Sequence, residues 1–518
     1  MLARPTQKAT LLLRSALLRV PARAFGKRAS KPGDANTLDV DSYDPWAHHS
    51  TFTLSWGSGK EGKLGHGTTA SKSRTTVIPR LNDVSVRALA CGAMHTVAIV
   101  DSPQPQTVHA WGCNFYSQAG HVSEPTGFFV EDEEGDQVLN PTPIYGLEDF
   151  RVAEIASGDF HSLALTAPRE EQPPGSESGG GKVYTWGAGL LGHNDEVYDA
   201  NPQPVRYFQD IRREVVAIGA NANYSLAVAR AETKSETTTH APIPTENEVY
   251  VWGYLRSHTG ELLKALSPVV VQASLGSFTE KAVCGYESFA VLSTRLDDGT
   301  RIRTLSVFGL GKREQPRKTT LETKAGWLGW LKGAPGEQDR VLPEHKTFKK
   351  LPDYPPSWEV PLLKTVYPFE PILQVPVEIT VADLALGPGF VVILEDSGSI
   401  HLLELPWASD LGSRNETRHQ LWRLGIELPN NARARNIVLG PNSLHCRTTE
   451  GGVYVWTPER NHSDGDAPLD LFDSLKMQRG SWDRVIERDV KILAGGWDHW
   501  AAFVDRRRYT LFRKNGTI

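Results

Sequence analysis

The chain has 518 residues, a formal net charge of −5, 39% hydrophobic and 23% charged residues, 46 glycines and four cysteines. That is the make-up of a turn-rich globular protein, and it excludes a fibrous chain, a disordered chain and a disulfide framework. Residues 1–31 hold eight Lys or Arg and no acid, leaving the remainder near −13, which argues against direct nucleic-acid contact by the folded body.

The first element in chain order is a basic, leucine-rich segment, KATLLLRSALLRVPARAFGKRAS. Its arginines are spaced to make one helical face basic, and Arg14 and Arg19 interrupt any apolar core that a secretory signal would need. Its apolar runs are far shorter than the roughly 20 residues that cross a bilayer. Residues 1–30 therefore read as a mitochondrial presequence, cut near Arg23-Ala24-Phe25, and 31–50 as a linker.

From residue 51 onward one segment recurs: 86–100, 152–166, 215–229, 279–293, 381–395, 434–448 and 490–504. Each reads as a strand, a tight turn and a second strand, pivoting on Gly92, Gly158, Asn221, Gly285, Gly387, Gly440 and Gly496. Six glycines and one asparagine at one position predict a left-handed backbone there. A companion strand alternates with it and carries Trp56-Gly57, Trp111-Gly112, Trp186-Gly187, Trp252-Gly253, Phe308-Gly309 and Trp456, with a degenerate copy at 401–404. Short polar connectors such as Asp396-Ser397-Gly398 link the two types as hairpins. A single four-stranded unit of this kind cannot bury both faces, whereas seven around an axis can. The expected fold is all-β, a seven-bladed propeller over 51–518, with the tryptophans packed between blades. Two segments compete to complete the last blade against strand 498–504: 51–57 and 509–512.

The residues carrying the repeat resemble the regulator-of-chromosome-condensation repeat family. Trp56-Gly57 with Gly62, Leu64 and Gly65 follows its motif, as do Trp111-Gly112, Asn114, Gln118 and Gly120, and Gly158-Asp159-Phe160-His161-Ser162. Together with the basic N-terminus, the resemblance points to the family's mitochondrial branch. Degenerate blades and a long insertion make it similar to fungal members that assist assembly of the inner-membrane cytochrome bc1 complex. The resemblance implies protein partners: respiratory-complex subunits or assembly factors first, a mitochondrial GTPase or the mitoribosome as alternatives.

The spacing of the pivots is 66, 63, 64, 102, 53 and 56, and the long interval places an insertion at 312–375 inside the fifth blade. Within it, Trp327, Leu328, Trp330 and Leu331 form an apolar cluster beside Lys324 and Lys332, suited to docking a partner or resting on a membrane surface. An acidic run, Glu131–Asp136, marks the second blade's loop. Residues 168–181 and 231–247 are polar hairpin tips.

No catalytic constellation emerges. Gly57-Ser58-Gly59-Lys60-Glu61-Gly62-Lys63 mimics a phosphate loop, but Leu64 stands where Ser or Thr is needed and no helix pattern follows. His95, His161 and His499 share one repeat position with Tyr224, Ser288, Phe390 and Ser443. Such free exchange suits hydrogen bonding within each turn rather than metal binding or catalysis. The four cysteines show no C-x-x-C spacing, so no metal site and no cofactor are expected, and the chain reads as a binding protein rather than an enzyme.

Overall fold

The computed structural model describes residues 14–15, 50–101, 106–121, 136–168, 181–231, 247–297, 300–310, 360–368, 370–406, 422–424, 428–440, 442–459 and 471–506. Seven sheets, each built on four antiparallel strands and two of them with a fifth strand added in parallel, form a seven-bladed β-propeller. Blades 2, 3, 4, 6 and 7 occupy 86–143, 152–204, 213–271, 381–424 and 434–486. Blade 5 runs Phe278–Cys284, Ser288–Asp297, Thr300–Gly309 and Leu373–Pro376. The first strand of each blade packs against the first strand of the next, so these seven strands surround the axis.

Blade 1 joins the two ends of the chain. Val490–Gly495 and His499–Asp505 supply its inner strands, Thr51–Gly57 and Lys72–Val77 its outer ones. Of the two competing segments, 51–57 therefore takes the place beside the strand ending at Asp505; residues 509–512 lie outside the described residues. The degenerate copy at 401–404 falls in Ile400–Glu404, the third strand of blade 6.

The core is a ring of wedges between neighbouring blades. Val97, Ile99, Tyr184 and Trp186 fill the seam of blades 2 and 3, Ile393, Leu384 and Val307 that of blades 5 and 6. Alternating strand residues are apolar on both faces because each sheet is covered on both sides. At the seam that closes the ring, His445 of blade 7 stacks on Trp500, which stacks on Trp56, with ring centroids 4.5 Å and 6.3 Å apart.

Two kinds of glycine hold this geometry, and the expectation about one of them is corrected. Gly92, Gly158, Gly285, Gly387, Gly440 and Gly496 do not adopt positive φ. They are glycine because there is no room for a side chain: a Cβ on Gly158 would lie 2.6 Å from His161 Nδ1 and 2.9 Å from the Ala222 carbonyl of the next blade. The left-handed demand falls instead on the glycine after each tryptophan. Gly57, Gly112, Gly187 and Gly253 have φ of +108°, +111°, +108° and +107°, at a bulge where the fourth strand carries the extra residues and Trp56, Trp111, Trp186 and Trp252 each stand opposite three of its positions.

The bulge aims each tryptophan at the preceding blade. Trp111 Nε1 donates to the Lys63 carbonyl at 2.9 Å and Trp186 Nε1 to the Gln118 carbonyl at 3.1 Å. Trp186 is fully buried, while the Gln118 carbonyl keeps a second donor in Ser162 Oγ at 2.9 Å. Trp186→Phe should therefore cost only about 1–2 kcal/mol, read as a lower urea midpoint with an unchanged slope.

The insertion in blade 5 is shorter at its C-terminal end than 312–375. Residues 311–359, which include Trp327, Leu328, Trp330 and Leu331, lie outside the described residues. The chain then returns along blade 4, where Val366–Tyr367 adds a parallel strand to the outer edge of Leu262–Val271. Leu363 N donates to Lys264 O at 2.8 Å, and fully buried Tyr367 packs edge-on against both rings of the stacked Phe289–Phe308 pair. Residues 373–376 are the fourth strand of blade 5 itself. Arg14–Ser15 runs parallel to Val283–Cys284 on that blade's inner edge.

Candidate partner-binding face

Strand direction sorts the loops onto two faces. The first strand of each blade ends at a pivot turn, the second runs back, and the third returns, so pivot turns and the loops between third and fourth strands share one face. The strand ends that flank the acidic run Glu131–Asp136 and the insertion of blade 5 lie on this turn face, while residues 131–135 and 311–359 are outside the described residues. The insertion leaves after Leu310, whose N–H donates to Glu287 O at 3.1 Å, and comes back at buried Val360. Val360 packs with Phe160, Leu190 and Tyr254, side chains from blades 3 and 4.

The turns form a belt around the axis, and their hydrogen bonds correct the expectation of bonding within each turn. His499 Nε2 meets Thr96 Oγ1 at 2.8 Å, His95 Nε2 meets Ser162 Oγ at 2.7 Å, and His161 Nε2 meets Ser225 Oγ at 2.9 Å. Each bond links one blade to the next. Tyr224 continues the series, donating to the Gly285 and Ser288 carbonyls at 2.8 Å. Burial drives these imidazoles to their neutral form: His95 is held down to about 3, His161 to about 4, and His499 well below its ordinary value. From blade 5 onward Ser288, Phe390 and Ser443 take the position, and links of another kind, present elsewhere in the ring as well, hold the blades together.

Those links sit at a second bulge. All seven innermost strands shift register at one place, with Arg87, Ala153, Val216, Glu280, Ala382, Arg435 and Lys491 as the extra residues. The residue after the bulge faces the adjoining blade. Glu154 accepts from Ile218 N at 3.2 Å, joining blades 3 and 4. Lys281 of blade 5 reaches the Ala382 carbonyl and Asp383 of blade 6, and Asp383 accepts from the Asn436 amide and from Ile437 N of blade 7.

The lysine of the phosphate-loop mimic belongs to the same framework. Lys63 is buried, pairs with Asp498 and donates to the Ala93 carbonyl at 3.3 Å, so it is committed to joining blades 1 and 2. Among the described residues no three His, Cys, Asp or Glu side chains converge as metal ligands, and all four cysteines are free and buried. Burial pushes the Cys91 thiol up to about 12 and Cys113 to about 11, which leaves them unreactive at neutral pH.

What remains accessible on the turn face is aromatic. Tyr286 of blade 5 and Trp497 of blade 1 meet across the axis, ring centroids 5.5 Å apart, and Tyr286 is 41% exposed. Beside them a cavity opens between blades 4 and 5, lined by Tyr254, Leu255, Arg256, Tyr286, Glu287 and Phe289. Arg256 and Glu287 pair across it at 3.5 Å, both partly buried. An exposed Tyr and a half-buried Trp beside an Arg is the composition that anchors protein partners. Sequence reading missed these residues, although the signal was there: both aromatics follow a pivot glycine, where other blades carry Ala93, Asp159, Ala222 or Pro388.

Residues 53–99 and 107–165 match the family model described as regulator of chromosome condensation (RCC1) repeat. These two segments are similar to RCC1 repeats. Two curated relatives agree: it is 28% identical over 252 residues to the ultraviolet-B receptor UVR8 of Arabidopsis thaliana, covering 46% of this chain and 48% of that one. It is 27% identical over 189 residues to human RCC1 domain-containing protein 1, covering 32% and 48%. The chain thus spans about half the length of these relatives. The crystal structure of Prp20p from Saccharomyces cerevisiae has a similar fold, with a TM-score of 0.53 and 15% identity over 90% of this chain and 96% of that one. Family model and relatives support the RCC1-repeat propeller family.

Proposed function

We propose that this RCC1-repeat propeller is a non-catalytic assembly or regulatory factor that acts in mitochondria at the inner membrane, with the cytochrome bc1 complex as its client. The observation that carries the reading is the gathering of divergent loops on the turn face, where both ends of the blade 5 insertion are anchored beside the aromatic pair and the cavity. Rigid propeller faces that display divergent loops select protein partners. The acid-free basic N-terminus ahead of an acidic body supports the location. Among the described residues no helix is long and apolar enough to cross a membrane, so the inner-membrane contact proposed here runs through a partner or a surface element.

The test is purification of the tagged full chain from mitochondria in mild detergent, with partners identified by mass spectrometry, beside a variant lacking 312–358. Subunits or chaperones of the bc1 complex should co-purify with the full chain and fall at least tenfold in the deletion variant, while its melting temperature stays put. Enrichment of a GTPase that the chain accelerates in nucleotide exchange, or of ribosomal proteins, would replace this reading with one of its alternatives.

A further inference from the structure

Blade 5 departs from the ring at the face opposite the turns. Its second and third strands, Ser288–Asp297 and Thr300–Gly309, run ten residues each and pair without a break to Asp297 and Thr300. The flanking strands stop short, the first with Phe278 opposite Thr294 and the fourth with Pro376 opposite Thr304. The last three rungs, Arg295 with Ile302, Leu296 with Arg301 and Asp297 with Thr300, therefore stand clear as a two-stranded arm. Neither outer edge of this arm pairs with a further strand among the described residues. Leu296 is 58% and Ile302 41% exposed.

A free two-stranded ribbon is marginal in water, and an exposed edge carrying aliphatic side chains invites pairing. Val377 N donates to Arg303 O at 2.9 Å, so the third strand turns the backbone groups of Arg303, and by alternation those of Arg301, away from the second strand, which makes Arg301 with Leu296 a rung without mutual hydrogen bonds. Backbone groups alternate along an antiparallel strand, which aims the N–H and C=O of Leu296 outward at the free edge.

We propose that the edge Arg295–Leu296–Asp297 pairs antiparallel with the same edge of a second copy of this chain, forming a two-fold symmetric dimer through the arm. A two-fold axis at Leu296 lets the two leucines exchange both backbone hydrogen bonds. It also sets Arg295 opposite Asp297 of the other copy, and Asp297 opposite its Arg295. The three-residue edge is thus complementary to itself in backbone, apolar and charged groups at once, the property a two-fold interface requires. Directly opposed charges on a sheet attract, and like charges repel. The arm's other edge lacks this property: an axis at Ile302 would oppose Arg301 to Arg303, and Arg303 is already held by Glu280 at 2.7 Å. So short an edge gives a weak, reversible dimer, with a dissociation constant of about 10 μM to 1 mM.

Sedimentation velocity of the full-length chain over a concentration series tests this, with Arg295→Asp, Asp297→Arg and a one-to-one mixture of the two. Wild type should self-associate, and each single variant, which opposes like charges twice, should weaken association at least tenfold. The mixture should restore it, because an aspartate then faces an arginine at both charged rungs. Melting curves check that all three remain folded, as expected for exposed positions. A wild type that stays monomeric throughout overturns the proposal, as does a mixture no better than its components or association that the single variants retain.

Discussion

Asp383→Ala should destabilise the ring by about 3–5 kcal/mol. Asp383 is 2% exposed and ties three blades together: Lys281 lies 3.4 Å away in blade 5, and the Asn436 amide and Ile437 N–H are its partners in blade 7. Removing the carboxylate leaves the buried Lys281 ammonium with the Ala382 carbonyl but no counter-charge, and takes an acceptor from the inward-facing Ile437 N–H, with no water to replace it. The pair itself adds less than its rupture suggests, because both charges were desolvated to form it. Asp383→Leu combined with Lys281→Met should therefore cost less than Asp383→Ala alone, leaving mainly the Ile437 N–H without that acceptor. Urea midpoints of the two single variants and the double give the coupling. A cost below about 1 kcal/mol for Asp383→Ala would show that the link is ornamental.

The second large effect is a pH dependence written into the histidine belt. Each imidazole has a folded pKa depressed below its unfolded value, so the folded state binds fewer protons. Its contribution is fully present above pH 6.5 and is lost as pH falls toward the folded value, about 4 for His161. One unit below 6.5, each such histidine costs about 1.4 kcal/mol. Whole-protein curves also contain groups of opposite sign, since burial raises Glu154 to about 8 and Asp159 to about 7, and both favour the folded state as pH drops. Comparing wild type with His161→Gln isolates the histidine. The variant should be less stable at pH 7.5, because Ser225 Oγ loses its partner, and the gap should narrow by about 1.4 kcal/mol at pH 5.5. A gap that is constant with pH would mean that folding does not depress the pKa of His161.

Much of this architecture was legible in advance because the repeat is a physical unit. A glycine that must clear the neighbouring blade, and a tryptophan that fills a seam, recur every time a blade recurs, so they mark the fold even at low identity. What those residues do was less legible. A conserved-looking glycine has two causes, positive φ and lack of room, and sequence does not separate them: Gly57 shows the first and Gly158 the second. Histidine at a turn tells nothing of where its Nε2 points, because the partner, Ser162 for His95, comes from the next blade 67 residues away. The end of the insertion was misplaced for a similar reason. Residues 360–367 are stabilised as an added strand on blade 4, a non-local pairing that leaves no periodic trace of its own. The aromatic pair of the turn face, Tyr286 and Trp497, comes together from positions 211 residues apart along the chain, and only the closed ring brings them into contact.

Blade 1 imposes an order of events on the making of the molecule. Its two halves, 51–77 and 490–505, are the first and last parts of the ring to be synthesised. Blades 2 to 7 can fold one after another as they emerge, each waiting only for its neighbour. The strand Thr51–Gly57, buried along its whole length in the finished ring, can pair at once with Lys72–Val77, but its other edge has no partner until the final strands arrive. For nearly the whole of its synthesis the growing chain therefore carries an uncovered hydrophobic edge at its leading end. Until His499–Asp505 arrives, that open edge is the part of the growing chain most prone to wrong pairing, and the time taken to make blades 2 to 7 sets how long it stays open.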